Sequence, residues 1–236
     1  MAETKPASTY GTTKVIASEE TEAARANWVQ EGDDWYYLLP DGSKNRQDLQ
    51  FDNAIYKFNW NGSLKTAQWV PNTGGGAYPV FCYDEETQFL FDQLNDEKKD
   101  LYFDEYPDRE DEYGNDEKRQ YDRYAGFIMD EKLNQAAAHR LEAALANGYS
   151  GDAIPGEGTL KDYLAQISYR KNSSCRELYL RGREDADDAF DKLIGKTQDK
   201  YDSNGKRKDS LDYYRRIGMA HVEKDGEQYF MVILMR

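Results

Sequence analysis

Few side chains in this sequence are equipped for bond-making chemistry. The 236 residues include two histidines, His139 and His221, and two cysteines, Cys82 and Cys175. Neither cysteine sits in a recognisable Cys-His context, and no G-x-S-x-G nucleophile elbow occurs. The cysteines form no C-x-x-C pair, so the sequence carries no zinc signature. "NTGGGAY" (residues 72–78) is rich in glycine but lacks the Lys-Ser/Thr of a phosphate loop, and reads as a linker or turn. His221 alternates with Ile217 and Met219, a pattern that places it as a packed or surface residue. Aromatic rings are what the chain does concentrate. "WYYLLPDGS" (residues 35–43) is followed twenty positions later by "IYKFNWNGS" (residues 55–63), and this pair is the most distinctive feature of the sequence.

Charge narrows the partners. Lys plus Arg is 31 and Asp plus Glu is 45, a formal net charge of −14. Duplex nucleic acid needs clustered cations, and an anionic membrane surface needs basic segments, so both are disfavoured. No apolar run approaches the length of a membrane span, and membrane insertion is not expected. A disulfide between Cys82 and Cys175 is compatible with export; two buried thiols is the alternative. The start, "MAETKPASTYGTTKVIASEE", lacks the basic and apolar regions of a secretory signal. Either the protein is not exported by that route or, the favoured expectation, Met1 opens a chain trimmed to its mature form.

Three zones must position these groups. Residues 1–26, rich in Ala, Thr, Ser and Glu, read as a flexible lead-in. Residues 27–83 carry all four tryptophans, Trp28, Trp35, Trp60 and Trp69. Their DG and NG turn signals predict an all-β module of hairpins. From residue 84 onward helical periods take over. Phe89, Leu90, Leu94 and the Lys98 stem predict a helix over 85–100, followed by a polar insert at 103–124 with no calcium-loop pattern. "DEKLNQAAAHRLEAALANG" predicts a helix capped by Asp130 and closed by Gly148. Its apolar face is Leu133, Ala136, Ala137, Leu141, Ala144 and Leu145, which leaves His139 toward solvent. Two shorter helices follow in "GTLKDYLAQISYR" and "EDADDAFDKLIGKTQDKY". A terminal hairpin turns at Asp225-Gly226, with "YFMVILM" as a strand buried on both faces. The fold class is therefore α+β, an α/β/α sandwich over 84–236 behind the hairpin module.

The tandem hairpins resemble the choline-binding or cell-wall-binding repeats of Gram-positive surface proteins. "NWVQEGDDWYYLLPDGSKNRQDLQ" and "NAIYKFNWNGSLKTAQW" carry the likeness, with Leu49 and Ile55 in place of expected aromatics. In that family, rings from successive hairpins cage a quaternary ammonium by cation–π attraction. The resemblance implies one cage, with Trp28 and Trp35 as two walls and Tyr56 as the third. The alternative is that these rings are the core of a degenerate repeat.

Residues 85–236 resemble the CAP (cysteine-rich secretory, SCP-like) superfamily as it occurs in bacteria. "FLFDQLNDEKK", with Asn95 at the usual Asn, is similar to its opening helix. "KLNQAAAHRLEAALANGYSGD", "CRELYLRG", "DDAFDKLIGKTQDKY" and "IGMAHVEKDGEQYFMVILM" are similar to its later segments, in the family's order. The resemblance implies a cleft with two histidines and acidic residues able to bind a divalent metal. The first histidine falls near Gly151 and the second near Lys200, so neither is present. Glu177 stands at the family's Glu, with Leu178 for the following Asn. Without imidazoles the usual zinc arrangement cannot form, so neither metal nor cofactor is expected. Glu177, beside Arg176 and Arg181, reads as ion-paired. A cleft combining Glu177 with His221 is the one arrangement that would support acid–base work.

Together these readings lead to an extracellular or cell-wall-associated binding protein, without catalysis. A cell-wall polymer or choline-like ligand, or a protein, is the expected partner. A divergent CAP-type hydrolase acting on peptide or cell-wall material is the competing class. A virion or secretion-apparatus structural protein is a third.

Overall fold

The fold is a computed structural model, which describes residues 27–51, 54–69, 84–106, 125–169, 173–197, 200–201, 207–208 and 210–236. The lead-in, the glycine-rich stretch with Cys82, and most of the polar insert lie outside them. The choice between a Cys82–Cys175 disulfide and two thiols therefore falls outside the described residues too.

The aromatic zone forms the predicted hairpins. Strands β1 (Trp28–Glu31) and β2 (Asp34–Tyr37) pair as a two-stranded sheet. Strands β3 (Leu49–Phe51), β4 (Ala54–Phe58) and β5 (Leu64–Trp69) form an antiparallel meander. The two glycine turns have one construction. Leu39 N–H donates to Ser43 C=O and Asn59 N–H to Ser63 C=O, each at 2.8 Å. Asp41 accepts from the Ser43 hydroxyl and Asn61 from the Ser63 hydroxyl. Gly42 and Gly62 take φ of 81° and 88°, the left-handed region that such turns require. The second turn packs against the stretch that follows the first, because a Cβ on Gly62 would sit 3.0 Å from the Asn45 carbonyl oxygen and 3.1 Å from the Lys44 Cβ.

The sandwich is built on a seven-stranded sheet of order β3, β4, β5, β6 (Ile128–Asp130), β12 (Arg216–Lys224), β13 (Glu227–Met235), β9 (Cys175–Arg183). Strand β6 (Ile128–Asp130) is only 3 residues long, yet it joins the two halves of the sheet. It pairs antiparallel with β5 and parallel with β12 (Arg216–Lys224). The hairpin zone is thus not a detached module: β3, β4 and β5 extend the central sheet, and only β1 and β2 stand apart from it. Short hairpins with one apolar face cannot bury it alone, and merging into a larger sheet does so. Strand β13 (Glu227–Met235) lies between β12 and β9 (Cys175–Arg183), and Phe230 to Met235 are all fully buried, as the apolar run predicts.

Helix α1 (Glu85–Glu105) packs on one face of the sheet with α4 (Ala186–Thr197). The opposite face is covered by α2 (Glu131–Asn147) and α3 (Leu160–Gln166). Remaining strands are short: β7 (Ala153–Ile154) with β8 (Gly158–Thr159), and β10 (Lys200–Tyr201) with β11 (Arg207–Lys208). Helix α1 runs further than predicted, into the stretch read as insert. Its buried face is Leu90, Phe91, Leu94 and Lys98, while Phe89 is exposed. Asn95 is buried and accepts from Phe127 N–H at 2.8 Å, and Lys98 donates to Ala125 C=O at 3.0 Å, so both fix the approach to β6. Helix α2 has the predicted caps: Asp130 accepts from Lys132 N–H, and Gly148 sits at φ 85°. It lies close against β12, where a Cβ on Gly218 would meet the Leu133 backbone at 2.3 Å. The β1–β2 turn is tied to the same helix, because Gln135 donates to the Asp33 carbonyl at 2.7 Å.

Candidate functional site

Alternation along the strands decides which groups can meet. On β12, Ile217 and Met219 point into the core under α1 and α4, and His221 follows them on that face. On β9, Cys175 and Tyr179 point into the core under α2 and α3, and Glu177 lies between them. Glu177 and His221 therefore occupy opposite faces of the sheet. The cleft that would combine them does not exist.

Each instead has a partner within its own layer. His221 Nδ1 is 3.1 Å from Asp84 Oδ2, its Nε2 is 2.7 Å from Gln228 Oε1, and its ring stacks on Phe230. Burial works against charge on the imidazole, but the Asp84 carboxylate outweighs it and raises the pKa above 6.5. Asp84 is held below the usual carboxylate range despite its own burial, by His221 and by the Thr87 N–H that it caps. The pair joins the start of α1 to the sheet, as a structural clasp.

Glu177 is likewise committed. Its side chain is 3% exposed and that of Arg140 is 0% exposed. Arg140 Nε and Nη2 each donate to a Glu177 carboxylate oxygen at 2.7 Å, a two-pronged geometry. Arg140 also donates to Gly158 C=O at 3.1 Å, and Glu157 lies 3.7 Å away. Burial alone would discourage the guanidinium charge; Glu177 reverses the effect. A general base needs a lone pair aimed at substrate, and both Glu177 oxygens already accept from a cation. Among the described residues no group of three or more His, Cys, Asp or Glu stands ready to hold a metal.

Glu177 nevertheless lines a cleft of about 520 Å³. One wall is Cys175 to Tyr179 on β9; the other is Tyr149, Asp152 and Thr159 to Lys161. Burial first, and then the facing Glu177 carboxylate, push the Tyr149 hydroxyl well above the usual tyrosine range. Burial also raises the Cys175 thiol, which keeps it protonated at neutral pH. His139, half-exposed as expected, stacks on Tyr163 and touches Glu157 at 2.7 Å. The sequence offered one missed signal here. Arg140 falls on the apolar stripe of α2, between Ala137 and Ala144, where a charge requires a buried partner.

At the aromatic site the rings take the arrangement of the alternative reading, a shared core. Trp28 and Tyr56 do come together, but as packed core: Tyr56 is 0% exposed and the two ring centroids are 5.0 Å apart. Phe58 stacks on Trp28 at 5.8 Å and Tyr37 meets it edge-on at 5.4 Å. The cage of Trp28, Trp35 and Tyr56 is closed by its own rings, with Trp35 packed half-buried against the same cluster. A cation does rest on a ring of this hairpin, but it is internal. Lys44 Nζ lies 3.5 Å above the Tyr36 ring and 2.6 Å from Glu31 Oε2. Among the described rings of this zone, Trp60 is exposed, 87% accessible at the tip of the β4–β5 turn.

Residues 27–44 match a family model described as a putative cell wall binding repeat. That segment is the β1–β2 hairpin with the glycine turn that follows it. Among solved structures, the chain is similar to an extracellular protein containing a SCP domain from Bacillus anthracis str. Ames. The TM-score is 0.40 at 12% identity, over 94% of this chain and 72% of that one. No curated protein matches the chain. Among the described residues no helix is long and apolar enough to cross a membrane.

Proposed function

We propose that this protein is a non-catalytic binding protein of the cell exterior or cell wall, attached to a wall polymer through its hairpin turns. The observation that carries this reading is the wall-binding-type hairpin of residues 27–44, tied to α2 through Gln135, with a second turn that presents Trp60 packed against Lys44 and Asn45. An exposed indole on a fixed turn is a low-entropy platform for stacking on a polymer. Binding occurs at the tips because the rings of Trp28, Tyr56 and Phe58 fill the interior between the hairpins. The sandwich, whose segments resemble the CAP superfamily in order, serves as an interaction domain. The pairing of Glu177 with Arg140 counts against the hydrolase reading, because it occupies the carboxylate that reading requires.

Co-sedimentation with purified Gram-positive sacculi tests the attachment. The chain pellets saturably, and Trp60→Ala reduces the bound fraction at least about threefold, in line with a ring contact of around 1 kcal/mol. Equal pelleting of both proteins would remove the hairpin tip from the account, and no pelleting of either would remove wall attachment.

A further inference from the structure

Strand β9 lies at the edge of the sheet. Strand β13 pairs with one side of it, and among the described residues no strand pairs with the other. The direction of its backbone groups follows from two hydrogen bonds. Arg236 N–H donates to Ser174 C=O at 3.0 Å, and Arg215 N–H donates to Met235 C=O at 2.9 Å. In an antiparallel ladder each residue turns both backbone groups to one side, and successive residues alternate. Ser174, Arg176 and Leu178 thus turn theirs toward β13. Cys175 and Glu177 turn theirs outward, at the wall of the 520 Å³ cleft.

We propose that this cleft binds an extended peptide, which adds to the open edge of β9 as a further strand and places an acidic side chain near Lys161. The proposal rests on reading the sandwich as an interaction domain and names what that domain takes. The outward N–H and C=O groups of Cys175 and Glu177 repeat every two residues, roughly 6.6–6.8 Å, which is the repeat of an extended polypeptide. Main-chain pairing supplies affinity in such strand addition, and the flanking cleft supplies side-chain selection. Lys161 is exposed in the facing wall, and its charge is felt at the Cys175 thiol, where it acts against burial. Glu177 does not repel an acidic ligand, because Arg140 neutralises it. Besides the Arg140–Glu177 pair, the cleft lining carries Lys161 and Arg176 against one carboxylate, Asp152, within a chain of net charge −14.

The test is a titration of the ¹⁵N-labelled full chain with the peptide Ac-Val-Thr-Glu-Val-Thr-NH2, followed by amide NMR. Two further peptides carry a backbone N-methyl group at adjacent positions, so that only one of them loses an edge-facing N–H. The Cys175 and Glu177 amides shift saturably. One N-methyl peptide binds about tenfold more weakly and the other like the parent, the pattern of a lost pairing hydrogen bond. Lys161→Glu weakens the parent peptide at least about threefold but leaves its Glu-to-Gln version unchanged. No saturable shift at about 5 mM, or equal affinity of all three peptides, overturns the proposal. So does protection of the Cys175 and Glu177 amides in the free chain, which would mean that the edge is already covered. Protection that grows with protein concentration overturns it in favour of a second copy. Pelleting with sacculi is independent of every one of these outcomes.

Discussion

Removing either partner of the Arg140–Glu177 pair strands a charge in the interior. At 2.7 Å and an effective dielectric constant near 20, the attraction is about 6 kcal/mol. Desolvation of both groups offsets much of it, and breaking such a buried pair costs about 3–5 kcal/mol. Arg140→Met leaves Glu177 buried and uncompensated, so it belongs at the upper end of that range. Glu177→Gln belongs at the lower end, because Glu157 at 3.7 Å still faces the guanidinium. The double variant Arg140→Met with Glu177→Met removes both charges and keeps the volume, and loses only about 1–2 kcal/mol. Urea denaturation followed by far-UV circular dichroism measures all three. The expected signature is strong non-additivity, with the double variant more stable than either single one. A Glu177→Gln variant within about 0.5 kcal/mol of the parent, or additive single effects, would refute the reasoning and return Glu177 to the list of groups available for chemistry.

Other consequences are checked as directly. Gly218→Ala forces α2 away from β12 and destabilises by about 3 kcal/mol or more in urea denaturation. Gly195→Ala, with open space around its Cβ position, gains about 1 kcal/mol as a helix substitution. The His221–Asp84 clasp gives stability a defined pH dependence. His221 has a raised folded pKa, so its contribution is full below pH 6.5 and is lost as pH rises through the folded value; Asp84, with a lowered one, contributes above pH 3.8 and loses it as pH falls further. Thermal unfolding between pH 5 and 9 therefore shows a melting temperature that declines across neutrality, and His221→Gln flattens that decline. Choline up to about 50 mM leaves tryptophan fluorescence without a saturable change, because the rings at Trp28 are closed. A saturable response lost in Trp35→Ala would reinstate the cage.

Local features of the fold were legible where one element sufficed to determine them. The caps at Asp130 and Gly148, the turn at Asp225-Gly226 and the double burial of β13 follow from residue type and period. What was not legible depends on partners distant in sequence. The joining of β5 to β12 goes through three residues, Ile128–Asp130, whose pattern is too short to announce a central strand. Spacing did not choose between cage and core at Trp28 and Tyr56, because a ring that lines a cage and a ring that fills a core have the same spacing. The separation of Glu177 from His221 required the pairing of β9, β13 and β12, which fixes the face of each residue. Arg140 was within reach of sequence reasoning, as a cation on an apolar stripe, but its partner was not.

The central claim, binding without cleavage, is best tested by incubating the chain with radiolabelled sacculi and counting pellet and supernatant from the same sample. The account predicts that the protein moves into the pellet saturably while soluble label stays at the level of a protein-free control. Label released in proportion to protein and time, and abolished in Glu177→Gln, would contradict it.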